Sequence, residues 1–132
     1  MGRPGGASLM IIGIGTDIVE VARIAKSIEK ISFKEKVFSK TEIVYCETKK
    51  NKAESFAARF AAKEAFFKAL GTGWRGGMAF NEVEIKNDEL GKPTLNVFGK
   101  TAKIIAKNKI KTIHISLSHT KETALATVIL EV

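Results

Sequence analysis

One stretch of the chain decides its fold: RFAAKEAFFKALGTG, from Arg59 to Gly73. Its phenylalanines and alanines recur with the period of an α-helix, and the glycines that follow are typical of a helix C-terminus. Glu64 and Lys68 are four residues apart, so their side chains are neighbours on one side of that helix. A carboxylate packed beside phenylalanines needs a partner, because an unpaired buried charge is costly. The pattern leaves two partners for Glu64, Lys68 or a metal ion, and it favours an ordinary ion pair with Lys68.

The segments around this helix predict a single α+β domain, in which a mainly antiparallel sheet packs on the long central helix. In the first strand, Gly13 and Gly15 put no side chain on the face that Asp17 continues, so we expect a close approach there. Ser39 and Glu42 have the spacing of a capping box at a helix start. Apolar periodicity predicts these elements in order: a strand at 10–16, a helix at 18–30, one or two short helices at 34–46, the long helix at 53–70, strands at 81–86 and 93–98, a short helix at 101–107, and strands at 112–118 and 123–132.

The composition predicts one domain with an anionic partner. With 132 residues, 45% of them hydrophobic, the chain can bury a core without disulfides. The net charge of +8 favours nucleic acid, a phosphorylated metabolite, an acidic protein or a membrane surface. Cys46 is the only cysteine, and neither a membrane-spanning run nor a secretory signal occurs, so we expect a cytoplasmic protein without membrane insertion. Residues 1–9 lack any pattern and are interpreted as a cloning remnant or flexible arm before a domain at 10–132.

Two glycine-containing motifs resemble nucleotide-binding loops but lack a required residue. The sequence GIG at 13–15 follows a strand, yet Ile18 stands where a dinucleotide-binding loop needs its third glycine. The sequence GKT at 99–101 resembles the end of a P-loop, yet Thr94 stands where that loop needs its first glycine. The sequence therefore favours neither kind of site.

Three other motifs together resemble one enzyme family. They are GIGTDI at 13–18, RFAAKEA at 59–65 with KALGTG at 68–73, and SLSHT at 116–120. Alone, Asp17 in the first could cap a helix, and His119 in the last could close a turn. In this order and spacing, the motifs resemble the small bacterial 4'-phosphopantetheinyl transferases of the holo-acyl-carrier-protein synthase type, over residues 10–132. The resemblance implies transfer of phosphopantetheine from coenzyme A to a serine of acyl carrier protein, with release of adenosine 3',5'-bisphosphate, in support of fatty acid biosynthesis.

The resemblance also implies roles for individual residues. Asp17 and Glu64 would hold one Mg²⁺, which suits carboxylate ligands, and Lys68 would complete the catalytic set by touching phosphate or anchoring Glu64. The proton of the attacking serine could pass to Glu64 or to a metal-bound water, and the sequence does not choose between them. The lysines at 49, 50 and 52 could reach the 3'-phosphate or form an ordinary solvated loop. The residues expected to bind coenzyme A are Lys68, Gly71, Gly73, His119 and Lys50.

The expected protein partners are acyl carrier protein and further copies of the chain. The resemblance implies a homotrimer with coenzyme A in a cleft between neighbouring subunits. Arg23, Lys26 and Lys30 are three, four and seven residues apart, so one helix face carries all three in the predicted helix. We expect this face to dock the acidic carrier protein, with a merely solvated face as the alternative.

Two other functions would use the same features. A nucleic-acid-binding domain would fit the positive charge, but it needs aromatic residues among basic ones on an exposed strand. The strand at 112–118 has no aromatic residue besides a histidine, so we expect no nucleic-acid partner. A metal-dependent phosphohydrolase would use the same two carboxylates, Asp17 and Glu64, with water as the nucleophile.

Overall fold

The fold is built on α4 (Lys52–Leu70), the long helix that the sequence predicts. The computed structural model describes residues 9–71 and 78–132, so residues 1–8 of the segment at 1–9, predicted to be a cloning remnant or flexible arm, lie outside the described residues. None of the helices in these ranges has the length and hydropathy needed to cross a membrane. The other elements, in chain order, are β1 (Ile11–Glu20), α1 (Val21–Ser27), α2 (Ile31–Val37), α3 (Lys40–Glu47), a 3₁₀ turn (Phe80–Glu82), β2 (Val83–Asn87), β3 (Pro93–Val97), α5 (Gly99–Lys107), β4 (Thr112–His119) and β5 (Thr123–Glu131).

The strands form two antiparallel sheets, which confirms the predicted α+β class. One sheet has three strands in the order β1, β5, β4, and the other is the hairpin of β2 with β3. The core lies where α4 packs on one face of the three-stranded sheet. Alternate residues of β5 from Ala124 to Leu130 are buried on that face, and every α4 residue between Phe56 and Phe67 except Glu64 is buried.

Gly13 and Gly15 allow the backbone of β1 to lie directly against α4. A Cβ atom at Gly13 would lie 2.0 Å from the carbonyl oxygen of Ala69, and one at Gly15 would lie 2.0 Å from that of Ala65. These distances leave no room for a side chain, so the residue at each position has to be glycine. The close approach expected from the sequence is confirmed. Asp17 is the next residue on the same face of β1, so it also points toward α4.

The first strand is longer, and the helix after it shorter, than the sequence pattern predicts. The predicted helix begins at Ile18, but β1 continues to Glu20. Pairing with β5 accounts for the difference, since Ile18 lies opposite Leu125 and β-branched residues suit a strand. Asp17 is therefore paired inside a strand and does not cap a helix. The predicted helix at 18–30 is also interrupted, because Lys30 lies beyond the end of α1, at the N-cap of α2.

The predicted short helices before α4 are α2 and α3, and the predicted capping box starts the second of them. The backbone N–H of Glu42 donates to Ser39 Oγ at 3.2 Å, and the backbone N–H of Ser39 donates to Glu42 Oε1 at 2.9 Å. This reciprocal bonding fixes the start of α3 and holds the Glu42 side chain against the core.

A buried ion pair joins α3 to α4 and β2. Lys63 and Glu42 have fully buried side chains, and Lys63 Nζ lies 2.7 Å from Glu42 Oε1. The same ammonium donates hydrogen bonds to the carbonyl oxygens of Phe80 and Val83, and Glu42 accepts one from the backbone N–H of Ile85. Burial lowers the pKa of Lys63, while the negative charge of Glu42 opposes that shift. The network fixes the position of α4 on the side opposite β1.

The face of the three-stranded sheet that points away from α4 carries apolar side chains. Ile14 and Ile18 of β1 are 65% and 67% exposed, and Leu125 of β5 is 40% exposed. Pairing places Ile18 opposite Leu125 and Ile14 opposite Ile129, so the four side chains share this face. We call these four residues the outer sheet face. An exposed apolar patch of this kind is typical of a protein–protein contact.

The buried pair predicts a specific pattern of stabilities. Lys63→Met leaves Glu42 buried without its counter-charge, so we expect the free energy of unfolding to fall by about 3–5 kcal/mol. Adding Glu42→Gln removes the orphaned charge, so the double variant should be more stable than Lys63→Met alone. Urea denaturation at pH 7 measures both. If the second substitution lowers the stability further, the two side chains do not act as a pair.

Candidate functional site

Asp17 and Lys68 form an ion pair across the contact between β1 and α4. Lys68 Nζ lies 2.9 Å from Asp17 Oδ1 and 3.1 Å from the carbonyl oxygen of Thr16. The spacing within α4 had favoured a pair between Lys68 and Glu64 instead. The structure differs because β1 runs beside the helix and offers Lys68 both a carboxylate and a carbonyl oxygen. Spacing within one helix carries no information about such a neighbour.

Glu64 is half-buried beside this pair, and its carboxyl group has a raised pKa. Burial is the largest cause, the negative charge of Asp17 adds to it, and the positive charges of Lys68 and Arg23 oppose it. The ion pairs of the described residues do not include Glu64. We call Asp17 and Glu64 the carboxylate pair. Within the described residues, Lys68 pairs with Asp17 alone, so the carboxylate of Glu64 can accept a further cation.

The carboxylate pair can supply oxygen ligands to a divalent cation. Mg²⁺ in proteins is usually held by one or two carboxylates and takes its other ligands from water and phosphate. Residues 9–71 and 78–132 contain no group of three or more histidine, cysteine, aspartate or glutamate side chains that could hold a metal. The donor set within those ranges therefore fits a hard cation with open positions better than a metal enclosed by protein ligands.

A basic cleft of about 450 Å³ lies toward the N-terminal end of α4. Its walls are the loop after α3, the first turns of α4, the turn between β2 and β3, and the end of β4. Four basic side chains line this cleft: Lys49, Lys50, Arg59 and His119. The structure thus brings Lys50 and His119, both predicted to bind coenzyme A, to the same cavity.

Arg59 is the buried cation of the basic cleft, and it was not among the residues predicted for the site. Its side chain is 4% exposed. Its Nη1 and Nη2 donate to Ser55 Oγ at 3.2 Å and to Asn87 Oδ1 at 2.8 Å, and its guanidinium carbon lies 4.4 Å from the centre of the Tyr45 ring. Nε has no hydrogen-bond partner among the described residues. A buried guanidinium held by neutral groups is suited to bind an anion.

One feature of the sequence could have identified Arg59. It is an arginine inside an otherwise apolar helical run, where a charged side chain needs a structural or functional reason. Tyr45 and Asn87, which hold it, come from distant segments and have no distinguishing pattern of their own.

His119 is oriented at the edge of the cleft by an acidic residue of α4. Its Nδ1 lies 3.0 Å from Glu54 Oε1, and the Glu54 side chain is largely buried while the imidazole is partly exposed. This contact joins the end of β4 to the first turn of α4. It holds the imidazole ring at the cleft, where the ring can reach a bound anion.

The structure separates the predicted site residues into two groups. Asp17 pairs with Ala126 on one edge of β5, whereas His119 pairs with Ala124 on the other edge. Two strand spacings, roughly 10 Å, therefore lie between the backbones of β1 and β4. Lys68 belongs to the first group, and Lys50 to the second. One chain thus presents the carboxylate pair and the basic cleft at different places.

The structure describes the first of the two glycines predicted to bind coenzyme A. Gly71 is the C-cap of α4 with a φ of 80°, which is the left-handed conformation that glycine adopts without strain. Gly73 lies outside the described residues. The predicted helix stop is confirmed at Gly71.

The predicted docking residues are placed by the short helix α1. The guanidinium carbon of Arg23 lies 5.7 Å from the centre of the Phe60 ring, and its charge acts on Glu64. Lys26 is exposed in the last turn of α1. Because Lys30 lies beyond that helix, only Arg23 and Lys26 share a helix, and the predicted three-residue helix face is wrong in that respect.

Comparison with known proteins assigns the family. Residues 13–128 match the family model of the 4'-phosphopantetheinyl transferase superfamily. The chain belongs to this superfamily. The resemblance seen in the three sequence motifs is thereby confirmed over most of the chain.

Individual relatives agree with this assignment in sequence and in fold. A protein from Syntrophus aciditrophicus named holo-[acyl-carrier-protein] synthase is 47% identical over 124 residues, which cover 92% of this chain and 97% of that protein. The structure of holo-[acyl-carrier-protein] synthase from Neisseria meningitidis is similar with a TM-score of 0.84 at 36% identity, over 92% of this chain and 98% of that one. The structure of a holo-(acyl-carrier-protein) synthase from Bacillus anthracis, solved in complex with CoA (3',5'-ADP), is similar with a TM-score of 0.78 at 39% identity. The match covers 92% of this chain and 97% of that one.

Proposed function

We propose that this transferase converts apo-acyl carrier protein to its holo form, in support of fatty acid biosynthesis. The serine oxygen of the carrier protein forms a bond to the phosphorus that bears pantetheine. The bond from that phosphorus to the bridging oxygen of coenzyme A breaks, and adenosine 3',5'-bisphosphate leaves with the electron pair. The observation that carries the proposal is the carboxylate pair, held between β1 and α4 in a chain whose relatives have this activity in their names.

Asp17 and Glu64 are the residues proposed to hold Mg²⁺. Two neighbouring carboxylates support this assignment, because burial and the negative charge of Asp17 raise the pKa of Glu64, and a bound cation would offset that negative charge. When bound, the ion would offset the charge that develops on the leaving phosphate oxygen. The serine proton passes to Glu64 or to a water molecule.

The basic cleft is the proposed site for the phosphates of the coenzyme A nucleotide. Arg59 supports this assignment most strongly, since its buried charge is held by neutral groups. Lys50 and His119 line the same cleft, where Lys50 would add positive charge for the 3'-phosphate and the imidazole of His119 would hydrogen-bond to it. Lys68, beside the carboxylate pair, is the proposed contact for the phosphates at the reaction site. Gly71 and Gly73 remain proposed coenzyme contacts on the family resemblance alone.

A homotrimer is the proposed functional form. The outer sheet face supports it, because Ile14, Ile18 and Leu125 would be covered by a neighbouring chain. The separation of the carboxylate pair from the basic cleft gives a second reason. If each active site joins the carboxylate pair of one subunit to the basic cleft of the next, the two groups can act on one coenzyme A molecule.

The proposed docking surface for the acidic carrier protein is α1. Arg23 supports it because its guanidinium group lies close enough to Glu64 to oppose the rise in the pKa of that carboxyl, so Arg23 lies at the border of the proposed reaction site. Lys26 is exposed on the same helix and Lys30 on the turn after it, so both remain part of the proposed surface.

The proposal also places the enzyme in the cytoplasm, where the thiol of buried Cys46 stays reduced.

The mass of a carrier protein tests the reaction and the carboxylate pair. With enzyme, Mg²⁺ and coenzyme A, apo-acyl carrier protein should gain the mass of one phosphopantetheine. Asp17→Asn and Glu64→Gln should slow this gain about 100-fold or more, because each removes a charge that acts on the transition state. Glu35→Gln, on the exposed side of α2, makes the same chemical change and should leave the rate unaltered. Hydrolysis of coenzyme A without any gain in carrier mass would indicate a phosphohydrolase instead.

Complementation between variants tests the shared active site. Asp17→Asn and Arg59→Gln should each be nearly inactive alone. Co-expressed, they should recover roughly a quarter of the wild-type rate, because random assortment brings an intact carboxylate pair to an intact basic cleft at some interfaces. Light scattering should show trimers in all samples. Trimers that recover no activity, or a monomer fully active at nanomolar concentration, would contradict a site shared between subunits.

Charge reversal on α1 tests the docking surface. Arg23→Glu should raise the KM for carrier protein about tenfold and the KM for coenzyme A much less, because like charges then face each other on docking. The dependence of the rate on salt should also become weaker. Lys107→Glu makes a similar change on α5 and serves as the control. Equal effects of Arg23→Glu on both substrates would place the docking surface elsewhere.

A further inference from the structure

Lys68 forms an ion pair with Asp17, which is one member of the carboxylate pair. Its ammonium lies 2.9 Å from Asp17 Oδ1 and 3.1 Å from the carbonyl oxygen of Thr16. A group with these two oxygen partners occupies a position that a cation seeking oxygen ligands would also favour. Glu64, one turn earlier on α4, is not part of the ion pair between Lys68 and Asp17. The Lys68 ammonium and an added metal ion would therefore both bind at Asp17.

Asp17 is more rigidly held in this ion pair than Lys68. The Asp17 side chain is 14% exposed, and its backbone is paired within the sheet. The Lys68 side chain is 54% exposed and has a flexible four-carbon stem. Exposed lysine pairs add little to stability, so they break readily when a better partner is offered. Lys68 can therefore leave Asp17 without disturbing the strand or the helix.

We propose that Lys68 competes with the divalent metal ion for Asp17, and that the phosphates of coenzyme A end this competition by drawing the ammonium away. The inference rests on the proposed function, from which it takes the metal and the coenzyme. While Lys68 neutralises Asp17, an arriving cation meets a like charge and only one free carboxylate. Once phosphate oxygens bind Lys68, both carboxylates are available to the metal.

The inference makes metal and coenzyme A cooperative ligands. Each raises the affinity for the other, and by linkage the two effects are equal in size. A residue that only stabilises the helix-strand contact would not produce this coupling, and a residue that only supports the metal site would weaken metal binding when it is removed. The sign of the change in metal affinity therefore separates competition from both other roles.

Mn²⁺ titration of the full chain, with free Mn²⁺ followed by electron paramagnetic resonance, tests the inference. Wild type, Lys68→Gln, Lys103→Gln and Asp17→Asn are compared with and without coenzyme A. Without coenzyme A, Lys68→Gln should bind Mn²⁺ about tenfold more tightly than wild type, a size typical of couplings between sites. With coenzyme A, wild type should gain affinity for Mn²⁺, and Lys68→Gln should gain much less.

The controls locate the effect at the site. Lys103→Gln removes an exposed lysine of α5 and should match wild type, whereas Asp17→Asn should lose Mn²⁺ binding. Thermal unfolding confirms that the variants are folded. Equal or weaker Mn²⁺ binding by Lys68→Gln without coenzyme A overturns the competition while leaving the proposed function intact. Absence of Mn²⁺ binding to every protein, with coenzyme A present, overturns the metal site and the competition together.

Discussion

The site depends on the contact between the backbone of β1 and the helix α4. Gly13 and Gly15 meet the carbonyl oxygens of Ala69 and Ala65 at distances that exclude any side chain. This contact sets how close the strand lies, and the alternation of the strand then directs Asp17 at the helix. On its opposite side, α4 is fixed by buried Lys63 and its partners. A helix held from both sides can keep charged groups at fixed positions, as a catalytic site requires.

The sequence predicted the elements whose pattern is local. The long helix and the capping box at Ser39 were confirmed, because each depends on residues close together in the chain. A close approach to β1 was also confirmed, because Gly13 and Gly15 leave one face of that strand without side chains, although the sequence did not identify α4 as the neighbour. The end of β1 was predicted too early, since its pairing with Leu125 on β5 decides it. The partner of Lys68 was predicted within the helix, whereas Asp17 lies across the strand. Long-range contacts of this kind leave no periodicity in the sequence.

The charges of the chain are arranged in two separate places. The carboxylate pair lies at the side of α4 that faces β1, and the basic cleft lies near its start. The positive net charge alone had suggested many kinds of anionic partner. The cleft narrows this choice, because a buried Arg59 with neutral partners suits a compact anion such as phosphate more than an extended surface. The residues from α3 and the β2–β3 turn that surround Arg59 could not be predicted from the sequence, because they come together only in the folded chain.

We propose that β1 and α4 together place Asp17 and Glu64 around one divalent ion. Crystals of the enzyme grown with Mn²⁺ and coenzyme A test it most directly through anomalous scattering from the metal. The account predicts one strong peak for each chain, within coordination distance of a carboxylate oxygen of both Asp17 and Glu64. A peak bound to neither residue, in crystals whose dissolved enzyme remains active, would contradict it.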